Sequence, residues 1–207
     1  MTKKHFALLG NWSFITGQPK GLSIYCYDEE TGSLELQETV LGDLYAGMQY
    51  LDKERGIDYV VNEIGHRRGE IGGGGYVAAL KVDRNTGKVS LINEKESLAP
   101  EPSYLYLDKS KKYLLVVHHV DSGHVTKINK VNGKYVSETL FDDAAIVLFR
   151  VNEDGSLGDS CDVQIIKGEG LSGSHAIPHL HSVVPDPTGE MYVVCDKGMD
   201  RIYSYRL

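Results

Sequence analysis

Two short units alternate along this chain, and their alternation limits what it can fold into more than any other feature. The first unit is an alternating apolar run, a polar turn carrying glycine, and a second run. It reads SIYCYDEETGSLEL (Ser23–Leu36), AALKVDRNTGKVSL (Ala78–Leu91) and IVLFRVNEDGSLGD (Ile146–Asp159), and a further copy opens at DRIYSYRL (Asp200–Leu207). Its turns, Glu30-Thr31-Gly32, Asn85-Thr86-Gly87 and Glu153-Asp154-Gly155, put glycine where a tight hairpin needs a positive φ. The second unit reads MQYLDKERGIDYVVNE (Met48–Glu63), SYLYLDKSKKYLLVVHH (Ser103–His119) and HSVVPDPTGEMYVVCDKG (His181–Gly198). Each is a strand, a turn opening on Asp52, Asp108 or Asp186, and another strand. These aspartates lie 56 and 78 residues apart, and the longer interval holds an insertion near His124–Asp143. Four strands in a period of roughly 40–55 residues is the pattern of a β-propeller blade.

The chain therefore reads as all-β, a single β-propeller domain over residues 1–207, with blades near residues 5–40, 45–92, 103–166 and 180–207. The first blade is expected to hold three strands, the next two four each and the last three. About three and a half blades cannot close a ring, and open blade faces with unpaired edges invite association. The chain is thus expected to be the N-terminal portion of a longer polypeptide, or to close against another copy as a homo-oligomer.

Composition supports the all-β reading and removes other classes. Thirteen Tyr, against 4 Phe and 1 Trp, sit largely in short alternating runs, and 23 Gly punctuate them. With 22 Lys and Arg against 29 Asp and Glu, the net charge of −7 argues against nucleic-acid binding. No run reaches the roughly 18 apolar residues of a membrane helix, so no membrane association is expected. The apolar run Phe6–Leu9 is too short for a signal peptide, and the expected location is cytoplasmic. Cys26, Cys161 and Cys195 are odd in number and far apart, which indicates neither a disulfide framework nor a zinc ribbon.

The segments GLSIYCYDEETGSLEL, PSYLYLDKSKKYLLVV, LFRVNEDGSLGD and above all PHLHSVVPDPTGEMYVVCDKGMDRIYSYRL resemble the lactonase family of seven-bladed propellers. The resemblance covers almost the whole chain and implies a ring of seven blades when complete, whose missing first-blade strand comes from the C-terminus. It also implies hydrolysis of a sugar lactone, with 6-phosphogluconolactone the leading substrate, in the central channel and without a cofactor. Two alternatives stay open: a 3-carboxymuconate-type cycloisomerase, and a non-catalytic propeller that binds a ligand or a protein, since a fold fixes no chemistry.

Lactone hydrolysis needs a poised water, donors for the oxyanion and cations for an anionic substrate. His181 matches the histidine of the family's H-S motif and is the first candidate for proton transfer, with His179 two residues before it. Arg201, in the closely matching Asp200-Arg201-Ile202, and Lys197 are the candidates for holding the anion. Glu63, His118 and Asp196 end the second strands of successive blades and are expected to converge on one ligand. His175, His179 and His181 form a weak metal pattern with no placed third ligand type, so no metal is expected. The stretch Gly69–Gly75 lacks the helix and Gly-Lys-Ser/Thr of a phosphate loop and reads as a connection within the second blade, with His66-Arg67-Arg68 a small basic cluster before it.

Overall fold

The structure is a computed structural model that describes residues 4–12, 20–66, 72–120, 123–171 and 177–207. These residues form sixteen strands and no helix. Four sheets follow one another along the chain, each an antiparallel meander. The first comprises β1 (His5–Asn11), β2 (Gly21–Tyr27) and β3 (Leu34–Val40). The second comprises β4 (Ala46–Asp52), β5 (Ile57–Asn62), β6 (Tyr76–Val82) and β7 (Val89–Glu96). The third starts with β8 (Pro102–Leu107) and β9 (Tyr113–His118). A separate hairpin of β10 (His124–Val131) and β11 (Lys134–Phe141) then intervenes, and β12 (Ala144–Val151) and β13 (Leu157–Ile166) complete the sheet. The fourth comprises β14 (Leu180–Pro185), β15 (Met191–Asp196) and β16 (Arg201–Arg206).

The repeated residues close the turns. Gly32, Gly87 and Gly155 have φ of 71°, 74° and 83°, which a side chain would strain. At Gly155 a Cβ would also collide with the Ile57 side chain of the preceding sheet. Asp108 Oδ1 accepts the backbone N–H groups of Lys112 and Tyr113 at 2.8 and 2.7 Å, and Asp52 and Asp186 cap their own turns in the same way. Asp52 adds a staple between sheets by accepting Lys111 Nζ at 3.0 Å. Burial opposes ionisation of Asp52, but the hydrogen bonds from Arg55 and Lys111 hold its carboxyl down at about 2.

Strand alternation builds the cores. In β5, Tyr59 and Val61 join a cluster with Leu105, Leu114 and Val116 of the third sheet, while Val60 turns to Leu22, Ala46 and Leu80 on the side of the first. In β9, Leu114 and Val116 face the second sheet, and Leu115 and Val117 face Val183, Tyr192 and Val194 of the fourth. The leading strands stack on one another, β4 on β8 and β8 on β14, and form the inner wall. β1 packs on β4 as β5 packs on β8, so β1 occupies a second-strand position, and among the described residues its inner edge is unpaired.

Asp58 is the exception in this pattern. It shares the side of β5 that carries Val60, is 1% exposed, and neither carboxyl oxygen has a hydrogen-bond partner among the described residues. Burial alone pushes its pKa up to about 7. It borders a cleft of about 790 Å³ beside the open edge of β1, with Lys4, His5, Gln49 and Lys53. A carboxyl whose folded pKa lies above its unfolded value stabilises the fold fully at low pH and loses that contribution as pH rises through the folded value. Asp58→Asn should therefore change unfolding free energy little near about pH 4 and raise it by about 1–3 kcal/mol near about pH 8. Chemical denaturation of both proteins across that range checks this, and a gain independent of pH would remove Asp58 as the cause.

Candidate active site at the propeller mouth

The candidate residues gather where the second strand of each sheet ends. Asn62, His118 and Asp196 are equivalent there: each is the last residue of a second strand, opposite Ala46, Pro102 and Leu180 respectively. All three are buried and make structural hydrogen bonds. Asn62 Oδ1 accepts Tyr45 N at 2.9 Å. Asp196 Oδ1 accepts the N–H groups of His179, Gly198 and Met199 at 2.8, 3.0 and 3.0 Å. His118 is 0% exposed, with Nδ1 2.8 Å from the Ala145 carbonyl oxygen. Burial lowers the His118 pKa to about 4, so its imidazole is neutral.

The expected trio of Glu63, His118 and Asp196 therefore mixes two registers, and the assignment of His118 and Asp196 as ligand-facing groups is corrected. The rim position is one residue further on, and one step along an extended chain reverses a side chain's direction. Glu63, His119 and Lys197 hold that position. Each donates its backbone N–H to the residue before an inner strand: Glu63 to Tyr45 O at 2.9 Å, His119 to Glu101 O at 2.9 Å and Lys197 to His179 O at 3.1 Å. Glu101 N donates to Ile64 O at 2.9 Å, which links the second sheet to the third. The side chain of His179 continues the belt to the fourth sheet, with Nδ1 2.8 Å from His119 O and 2.7 Å from Val120 O. Carbonyl oxygens only accept, so His179 Nδ1 carries a hydrogen, and in the neutral ring Nε2 holds the basic lone pair.

His119 is the hub of the cluster. Its ring stacks on His179 with centroids 4.7 Å apart and meets the edge of His181 at 5.4 Å. Its Nδ1 lies 3.6 Å from Glu101 Oε2. Glu63 is half-buried, and its carboxyl sits over Gly47 of β4, where a Cβ would strike Oε2. Burial pushes the Glu63 pKa up to about 7, with His119 pulling it down and Glu101 pushing it up. Lys20 adds a cation through the ring and hydroxyl of Tyr45, with Nζ 4.2 Å from the ring centroid.

Of the residues singled out from the sequence, Glu63, His179 and His181 thus meet through His119. His181 is exposed on the inner strand, in the register shift between Leu180 and Ser182, and Lys197 is exposed just after β15. Arg201 opens β16 opposite Asp196, with its side chain beside the Tyr203 hydroxyl. His119 and Glu101 are additions. The His118-His119 pair signalled the place, but only the strand register decides which histidine faces the mouth. The glycine-rich stretch does connect β5 to β6, with His66 accepting Gly72 N at 3.0 Å. Residues 67–71 and His175 lie outside the described residues. Among the described residues no cluster of His, Cys, Asp and Glu is arranged to hold a metal ion, and no helix is long and apolar enough to cross a membrane.

Meandering sheets whose inner strands converge on a polar mouth define a β-propeller. The chain belongs to the family described as lactonase, 7-bladed β-propeller, whose profile matches residues 8–207. A Bacillus subtilis (strain 168) protein named 6-phosphogluconolactonase is 24% identical over 184 residues, covering 89% of this chain and 45% of that protein. A Formosa agariphila protein of the same name is 23% identical over 194 residues, covering 93% and 48%. Among solved structures, a Bacteroides fragilis protein described as a candidate 6-phosphogluconolactonase superposes with TM-score 0.76 at 22% identity, covering 100% of this chain and 49% of that one. The periplasmic gluconolactonase of Pseudomonas aeruginosa gives TM-score 0.73 at 21% identity, covering 98% and 50%. The chain spans about half the length of the curated relatives it matches.

The position of the Glu63 carboxyl depends on the missing side chain of Gly47, whose φ is not in the left-handed region. Gly47→Ala should leave the sheet intact and push the flexible carboxyl toward water. The Glu63 pKa, read by NMR titration of the labelled side chain, should then fall from about 7 toward its ordinary value of 4.5. A Glu63 titration identical in both proteins would sink this account.

Proposed function

We propose that the rim cluster is a hydrolytic site for a sugar lactone, and that the substrate is anionic, with 6-phosphogluconolactone the leading candidate. The observation that carries this reading is Glu63, a carboxyl titrating near neutrality beside the imidazole of His119. A base works best when its pKa lies near the operating pH. In this reading ionised Glu63 takes a proton from a water as the water oxygen attacks the lactone carbonyl carbon. The ring C–O bond then breaks, and the departing oxygen takes a proton from His181, which is exposed on the inner strand. One water is consumed, and a hydroxy acid is formed. His119 stabilises the negative charge that develops on the carbonyl oxygen, and His179, whose Nδ1–H is held by the His119 and Val120 carbonyls, accepts a substrate hydroxyl at Nε2.

Lys197 and Arg201 are assigned to the anionic end of the substrate, where an ammonium and a guanidinium suit a phosphate or carboxylate. The names of the Bacillus and Formosa relatives favour the phosphorylated lactone. Family membership supports lactone chemistry in general. No separate cofactor enters the proposed steps.

The test is hydrolysis of freshly made 6-phosphogluconolactone above its spontaneous rate, using the longest polypeptide that the reading frame encodes. Glu63→Gln and His181→Ala should each lower kcat by about 10²- to 10⁴-fold while circular dichroism stays unchanged. Because Glu63 acts as the ionised base, kcat/KM of the parent should drop as pH falls through about 7, and the Glu63→Gln residual should lack that limb. Lys197→Ala should act mainly on KM. A well-folded protein with no acceleration would exclude this substrate, and activity on carboxylated muconolactones instead would favour a cycloisomerase.

A further inference from the structure

The hairpin of β10 and β11 belongs to none of the four sheets and stands outside the rim chemistry. It leaves the third sheet after His119 and Val120, at the mouth, and returns at Asp142 and Asp143 to the start of β12. Every residue of both strands is exposed. Its register is continuous for eight pairs, from His124↔Phe141 to Val131↔Lys134. One face carries Ile128, Tyr135 and Phe141, and the other carries Val125, Val136 and Leu140. Ile128 and Tyr135 are each 76% exposed. A lone two-stranded ribbon is at best marginally stable in water, and its free edges are templates for further strands. Among the described residues no strand pairs with either outer edge.

The charge of the ribbon indicates what covers it. Lys127, Lys130 and Lys134 stand against one acid, Glu138, in a chain whose net charge is −7. Asn129 holds Glu138 at 2.5 Å and Lys130 sits 5.5 Å over the Tyr135 ring, so the lysines are displayed on an ordered ribbon. A basic arm on an acidic body is complementary to a second copy of the same body.

We propose that the β10–β11 hairpin is a dimerisation arm that seats on a second copy of this chain. The arm presents its apolar side chains and lysines to the acidic partner, so association weakens as salt screens the charges. This inference does not depend on the lactone chemistry, because the arm contributes no group to the proposed steps.

The test is analytical ultracentrifugation of the longest encoded polypeptide over a wide range of concentrations, at low and high salt. A dimer is expected, weaker at high salt. The double substitution Ile128→Asp with Tyr135→Asp should weaken it by at least about tenfold while circular dichroism and thermal unfolding stay unchanged. Replacing residues 124–141 by a short Gly-Ser turn gives a second variant that should be monomeric. A protein monomeric at every concentration overturns the proposal, and so does a dimer that neither variant affects. A monomer whose substrate KM rises in the double variant would make the arm a cover for the mouth, and would equally overturn it.

Discussion

The central strands β5 and β9 are each pressed between two neighbouring sheets, so both of their faces are interior. Direction along the strand then decides everything about a side chain. A step of one residue does not move it from core to solvent, as in a two-layer protein, but from one inter-sheet core to the next. Tyr59 and Val61 meet the third sheet while Val60 meets the first, and Leu114 to Val117 divide in the same way. Asp58 shows the penalty for putting a carboxyl into such a register, since it is left 1% exposed and without a hydrogen-bond partner among the described residues.

The same rule governs the strand ends. Asn62, His118 and Asp196 stay inside and satisfy backbone groups, whereas Glu63, His119 and Lys197 emerge at the rim. The belt that links them is made mostly of main-chain hydrogen bonds, from Tyr45 and Glu63 through Glu101 and His119 to His179 and Lys197. The backbone carries most of that load, and the side chains of Glu63, His119 and His181 take no part in it. The His179 side chain does join the belt, through its Nδ1–H, and leaves its Nε2 outside it.

Much of this was legible in the sequence. The two repeating units mark the blades because turn glycines and turn aspartates answer local demands that hold wherever the chain folds back. The insertion near His124–Asp143 stands out because it breaks the interval between repeats. The rim was only half legible. Glu63, His179 and His181 could be picked out from position and from resemblance, but the choice between His118 and His119 depends on a register set by pairing with β8. Glu101 has no local signature: it gains its place from a hydrogen bond to Ile64, 37 residues earlier in the chain. The seat of Glu63 over Gly47 joins residues on two strands and is likewise a property of the folded sheet.

Glu63, Glu101, His119 and His179 all lie just outside the regular strands, in the connections between them. The belt fixes the main chain of Glu63, Glu101 and His119 whatever side chains they carry, and only at His179 does it use a side chain. Such an arrangement separates the inheritance of shape from the inheritance of chemistry. The mouth can exchange one acid, base or cation for another without disturbing a single inter-sheet core, so descendants of one propeller can drift to new substrates while keeping an almost unaltered frame.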